Sequence, residues 1–238
     1  MFAVKNFILP QPDLLQKYWI VDQLSKLPKN STLLDAGAGE CQYEKYCRHL
    51  KYTSQDFGKY DGKGDKKGIQ TGTRDSSKID IVSDIVDMPV KSSSLDSVLC
   101  VEVLEHIPAP LDALKEISRV LKKGGALILT APFSSLAHYS PYYYYSGFSF
   151  SFYKENLPRY GFKIEEIYTY GNYFDHVSLE LARVPLVLWR KLALLALPLI
   201  LVYLIALPIY CLLRILSITP LRPEGLFYFC HCIRAIKT

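Results

Sequence analysis

The sequence predicts an α/β domain built on a doubly wound, mainly parallel sheet. Three observations carry that expectation. Apolar segments of strand length alternate with segments of helical spacing, the pattern of a parallel sheet with helices on its faces. Residues 97–103 form a nearly continuous apolar run, as a central strand buried on both sides does. The first strand, 32–36, runs into Gly37-Ala38-Gly39-Glu40, two glycines one residue apart ahead of a segment able to start a helix. Glycine lets the backbone turn sharply and approach a ligand closely. A strand, turn and helix in this order seat nucleotide-like ligands on open α/β sheets.

The elements follow in order. Pro12 opens a segment with Leu14, Leu15, Tyr18, Trp19, Val21 and Leu24 on helical spacing, ending near Pro28. It reads as a leading helix beside the sheet. Residues 32–36 are the first strand and 41–50 the first crossover helix. Residues 52–56 are a second strand ending in Asp56, and 58–78, rich in Gly, Lys, Asp and Ser, are a loop. Residues 79–83 are a third strand, followed by Asp84. After the fourth strand comes the clearest helix: Leu111, Leu114, Ile117 and Leu121 form one apolar stripe, with Lys115, Glu116 and Arg119 off it. Pro110 suits its first turn, Lys122 and Lys123 its negative end, and Gly124 its cap. A strand at 126–130, a tyrosine-rich loop at 133–149, a helix at 151–160 and strands at 162–170 and 226–237 complete the pattern.

Composition narrows the class. Of 238 residues 50% are hydrophobic and 21% charged, so the chain is globular rather than disordered. A net charge of +5 is too small and too scattered for a nucleic-acid binder. The densest basic stretch, 59–67, is interleaved with Asp61, Asp65 and glycines, as a solvated loop is. The six cysteines have no metal-ligand or disulfide spacing. In Cys230-His231-Cys232 a strand would point the two thiols one way and the imidazole the other, so no metal is expected. Reduced thiols and the lack of a basic-apolar leader at the N-terminus suit a cytoplasmic protein.

The glycine turn with Asp35 two residues before it resembles the first motif of class I S-adenosylmethionine-dependent methyltransferases, of the type 11-like family. Further motifs fall in the family's order over residues 30–170. The resemblance implies a Rossmann-like, doubly wound seven-stranded sheet whose last strand enters antiparallel, and S-adenosylmethionine as cofactor. It implies that Asp35, Gly37 and Gly39 seat the cofactor, Asp35 near its amine. Asp56, 17 residues after Gly39, would take the ribose hydroxyls, since both carboxylate oxygens can accept from a vicinal diol. Asp84-Ile85 would bind the adenine amino group and pack on its ring, with Asp87 as a rival. Glu102-Val103, opening the segment Glu102 to Pro108, would lie under the methionine part of the cofactor. Position 41, often a third glycine in the family, is Cys41 here.

Methyl transfer needs alignment, exclusion of water and sometimes a base. His106 and His138 are the candidate catalytic bases, and either could instead be structural. Tyr139 and Tyr142 lie where the family places a substrate-facing loop; they would line the acceptor pocket or simply pack the sheet edge. Residues 192–213 carry no charge over 22 positions, long enough for a membrane helix, but Pro198 and Pro208 interrupt them. The expected organisation is a methyltransferase domain from 1–183 plus 219–238, with 184–218 an apolar helical insertion. Because both its ends rejoin one domain, the insertion should dip into the membrane as a hairpin bent at Pro198, or lie in the interface. Cationic flanks favour the cytoplasmic face. A buried core helix or a partner interface is the other reading of this segment. The expected acceptor is a small molecule, lipid-linked precursor or glycan at the inner face of the membrane. A soluble small-molecule acceptor and a non-catalytic binding or scaffold role are the alternatives; oligomeric state is not legible.

Overall fold

The computed structural model describes residues 12–221 and 225–238. Two compact units divide the chain: Gln16–Thr169 with Cys230–Thr238, and Met1–Leu15 with Tyr170–Phe229.

Helix α1 (Pro12–Ser25) precedes the sheet, whose strands are β1 (Thr32–Ala36), β2 (Lys51–Asp56), β3 (Ile81–Val82), β4 (Leu95–Val101), β5 (Leu121–Pro132), β6 (Phe162–Tyr170) and β7 (Cys230–Lys237). Their order is β3-β2-β1-β4-β5-β7-β6. β1 pairs in parallel with β2 and β4, and β4 with β5, whereas β7 runs antiparallel to β5 and to β6. The seven-stranded sheet and its reversed last strand are as the sequence implied. Ser97, Val98, Leu99 and Cys100 of β4 are all buried, which is why that stretch is apolar on both faces. Helix α2 (Pro110–Val120) lays Ala113, Leu114, Ile117 and Val120 into the core. Helix α3 (Phe150–Arg159) is capped by Ser149, whose hydroxyl accepts from the Phe152 amide, and buries Tyr153 and Leu157.

Two local expectations give way. The crossover after β1 is not a helix over 41–50; it is a run of turns with one short 3-10 turn at Glu44–Tyr46. Left-handed φ at Gly37, Gly39 and Cys41 uses its first residues on tight turns. Too few remain for a stable helix before Lys51 donates to the Ser31 carbonyl and β2 begins. Gly124 does not cap α2 either. The helix ends at Val120 and β5 starts at Leu121, its φ of −73° and ψ of 140° already extended. Gly124 takes φ +79° inside that strand, where the β4–β5 register shifts between Leu95 and Ser97.

In the second unit, helix α4 (Tyr173–Leu192) starts with a capping box in which Asn172 and Asp175 satisfy each other's backbone amides. After a 3-10 turn at Ala193–Ala196 come α5 (Leu197–Tyr203), a second such turn at Leu204–Ala206, and α6 (Leu207–Leu216). The unit is a helical hairpin. Its open end is pinned by an ion pair between Asp175 and Arg214 and by Asn172 Nδ2 donating to the Ser217 carbonyl at 2.9 Å. Along its length the Tyr203 hydroxyl donates to the Leu181 carbonyl. The reversal falls at Ala193, with φ +46°, rather than at Pro198. Pro198 sits in the first turn of α5, where a missing amide donor costs nothing.

Candidate active site

The site is built at the carboxyl ends of β1, β2 and β4. Beyond Ala36 the amides of Gly37 and Ala38 both donate to the Gln55 carbonyl, at 2.8 and 2.9 Å, so the turn is fastened to β2. Gly37 and Gly39 have φ of +77° and +59°, the left-handed region that favours glycine. A Cβ on Gly37 would stand 2.4 Å from Cγ2 of Val103, just past β4. That glycine is therefore required by the close approach of Val103. A Cβ on Gly39 would meet the Arg74 guanidinium at 2.9 Å.

Asp56, at the end of β2, is buried and holds the turn in place. Its Oδ2 accepts from the Gly39 amide at 3.0 Å and its Oδ1 from the Gly58 amide at 2.9 Å. Arg74 adds an ion pair to Oδ2 at 3.0 Å, and its guanidinium lies 5.6 Å from the Tyr60 ring centroid and 5.9 Å from that of Tyr139. Asp35 is buried at the end of β1 and accepts a hydrogen bond from the Tyr52 hydroxyl at 2.7 Å. Burial raises its pKa to about 7, with a smaller push from Asp56 opposed by the Tyr52 bond. Among the described residues no cationic side chain pairs with it. The glycine turn, the Asp56 carboxylate at its edge and the buried Asp35 carboxyl lie together at the carboxyl ends of β1 and β2.

The other predicted residues fall in two groups. Asp84 is exposed and caps its own turn by accepting from the Val86 amide, while Ile85 belongs to the hydrophobic core. Glu102 adopts φ +52° and takes hydrogen bonds from Gln16 Nε2 at 2.6 Å and Thr130 Oγ1 at 3.1 Å. His106, His138, Tyr139 and Tyr142 come together. The His106 ring stacks on Tyr139 at 5.1 Å and meets His138 edge-on at 4.7 Å. His106 Nδ1 bonds the Tyr142 carbonyl at 2.6 Å, and His138 Nδ1 the Leu136 carbonyl at 2.8 Å. Burial lowers the His106 pKa to about 4 and lowers that of His138 as well, so both rings are neutral at neutral pH. The loop 58–78 closes over this group: Ile69 exchanges backbone hydrogen bonds with Ala137 and Tyr139, and Tyr60 stacks on Tyr139 at 4.7 Å.

Several participants carry no sequence signal that singled them out. Arg74 lies in a polar loop among other cations. Tyr52 is one residue of a short strand. Gln16 lies on a helix read only for its apolar face. Glu105 sits in the Glu102 to Pro108 segment, yet its burial depends on how that turn packs. The alternation expected of the last strand is present: the Cys230 and Cys232 sulfurs are 3.9 Å apart, while His231 lies among the rings of Phe133, Phe150 and Tyr153.

A family model described as a methyltransferase domain matches residues 34–129. An uncharacterized protein of Methanocaldococcus jannaschii is 47% identical over 49 residues, 21% of each chain. A ubiquinone biosynthesis O-methyltransferase of Xanthomonas oryzae is 32% identical over 63 residues, 26% of each chain. The matches thus span about a fifth to a quarter of the curated relatives' length. The solved phosphoethanolamine N-methyltransferase 2 of Haemonchus contortus, in complex with S-adenosyl-L-methionine, shares the fold. It aligns at a TM-score of 0.52 and 16% identity, over 93% of this chain and 52% of that one. Residues 34–129 thus match a methyltransferase-domain family model, and the sheet shares the fold of a solved methyltransferase that holds S-adenosyl-L-methionine.

Proposed function

We propose that the chain transfers the methyl group of S-adenosylmethionine to an acceptor presented at a membrane surface. The observation that carries the first half is the cradle of Gly37, Gly39 and Asp56, with the buried carboxyl of Asp35 beside it. The cofactor supplies a methyl group activated on a sulfonium. In this reading Asp56 accepts the ribose hydroxyls, which requires Arg74 to share or release its Oδ2. Asp35 faces the cationic amine, Asp84 and Ile85 the adenine, and Glu102 and Val103 the methionine part. His106, His138, Tyr139 and Tyr142 form the acceptor side, where their stacked rings exclude water.

The second half rests on the hairpin. Within residues 197–216 an 18-residue stretch has a mean hydropathy of 2.5 and is only 6% buried, and Leu195 and Ile205 are 78% and 77% exposed. An apolar surface of that extent marks an interaction face. The pinned ends of the hairpin keep both flanks together, which suits a monotopic anchor over 184–218 rather than a single crossing. The acceptor class that suits such an anchor is lipid-linked, a glycan precursor or another amphipathic molecule, on the cytoplasmic side.

Titration calorimetry with S-adenosylmethionine, followed by tritium transfer from the labelled cofactor to a membrane extract, tests this reading. Binding followed by label in the lipid fraction supports it. Binding without transfer to any fraction favours a non-catalytic binding role, and label confined to the aqueous fraction a soluble acceptor.

A further inference from the structure

Glu105 is a buried carboxylate among rings. It is fully shielded from solvent, and neither of its side-chain oxygens has a hydrogen-bond partner among the described residues. A buried carboxylate is expected to be paired, protonated or bound to a metal. The nearest polar atom of His106, Nε2, stands 3.7 Å from Oε1, too far for a hydrogen bond. His106 Nε2 is itself buried and without a partner. Meanwhile His106 and His138 each commit Nδ1 to a backbone carbonyl. That arrangement fixes the tautomer and leaves Nε2 as the lone-pair nitrogen, as the outer-shell bonds of metal-ligating histidines do. One donor atom from each of Glu105, His106 and His138 lies within 4.8 Å of the others.

We propose that Glu105, His106 and His138 form a binding site for one divalent transition-metal ion. Two imidazoles and one carboxylate suit Zn2+, Fe2+ or Mn2+ better than Ca2+ or Mg2+, which prefer all-oxygen sets. A cation about 2.1 Å from each donor holds them roughly 3–3.5 Å apart, so the site closes by about an ångström on loading. Glu105 and His106 are adjacent on the short turn after β4, while His138 comes from the loop that the 58–78 segment clasps through Ile69. The ion would therefore tie the acceptor loop to the sheet.

Three protein ligands leave coordination positions open. Resting on the methyltransferase reading, the ion's chemical role is to take a hydroxyl of the acceptor and lower its pKa. The hydroxyl proton goes to solvent. The carbon–oxygen bond then forms as the carbon–sulfur bond of the sulfonium breaks, leaving the neutral thioether S-adenosylhomocysteine. The imidazoles act here as ligands and not as bases.

The test uses the full chain, stripped with a chelator and titrated with Co2+ in the visible range and with Zn2+ by calorimetry. One equivalent of each is expected to bind, with affinity lost at least tenfold in Glu105→Gln and in His138→Ala. His138→Ala alters a half-buried loop residue, and an unchanged melting profile shows that its fold is intact. Failure of Co2+ and Zn2+ to bind, or equal affinity in wild type and His138→Ala, overturns the site. S-adenosylmethionine is titrated into the same preparation. Metal binding without cofactor binding removes the methyltransferase reading and leaves the metal site standing; the reverse result removes only the metal site. Label transfer that is unchanged by stripping and reloading overturns the Lewis-acid role.

Discussion

Asp35→Asn separates the thermodynamics of the site from its chemistry. In the folded chain the carboxyl titrates at about 7 because burial penalises its charge; unfolded, it returns to about 3.8. Between these values the native state holds a proton that the unfolded state has lost. Stability must therefore fall as pH rises through that window and level off above it. Three pKa units at 1.36 kcal/mol each correspond to about 4 kcal/mol, an upper figure. The asparagine does not titrate, so its contribution is flat. The stability of the variant relative to wild type is thus expected to rise by about 3 kcal/mol from pH 4 to pH 8. The assay is urea unfolding at several pH values in a Trp189→Phe background, so that Trp19 alone reports on the unit that contains the sheet. The same experiment with S-adenosylmethionine has the opposite sign. A cationic amine beside Asp35 favours its ionised form, so wild-type affinity climbs with pH towards 7 while that of Asp35→Asn stays low and flat. Parallel stability curves for the two proteins would refute the assignment of the raised pKa to Asp35.

Three further outcomes are expected. Gly37→Ala lowers stability by about 2 kcal/mol or more, from left-handed strain and the contact with Val103; Gly37→Ala/Val103→Ala recovers the contact part but not the strain, and thermal unfolding reads both. Arg74→Ala tightens S-adenosylmethionine severalfold in calorimetry, because the guanidinium competes for Asp56 Oδ2; weaker binding would make Arg74 a ligand of the cofactor. Leu195→Glu/Ile205→Glu abolishes flotation of the chain with anionic liposomes while leaving cofactor affinity unchanged, and wild-type protein that does not float would turn the hairpin face into a protein interface.

The alternation of strands and helices was legible because strand burial and helix amphipathicity leave local marks. β4 reads as central from its unbroken apolar run, and α2 from its stripe of Leu114 and Ile117. Turn geometry left weaker marks. The missing crossover helix depends on left-handed φ at Cys41, a residue whose type gives no hint of it. Gly124 was legible as a glycine needing positive φ, but not as a strand residue rather than a cap. In the site, Asp35, Gly37, Gly39 and Asp56 were legible because strand ends followed by glycine fix their backbone. Arg74 and Glu105 were not. Arg74 reaches Asp56 only through the fold of a 21-residue polar loop (58–78), and the isolation of Glu105 is a matter of packing. The reason for Gly37 also changed: the Val103 methyls, not a ligand, fill the space beside it.

The most direct measurement is calorimetric titration of S-adenosylmethionine into wild type and Asp56→Asn at pH 8. Asparagine keeps the side chain's shape and one acceptor for the Gly39 amide but cannot receive both hydroxyls of a diol. One cofactor per chain is expected, with affinity reduced by about 1–3 kcal/mol in the variant. No binding to the wild-type chain, or equal affinity in a folded Asp56→Asn, would contradict the account.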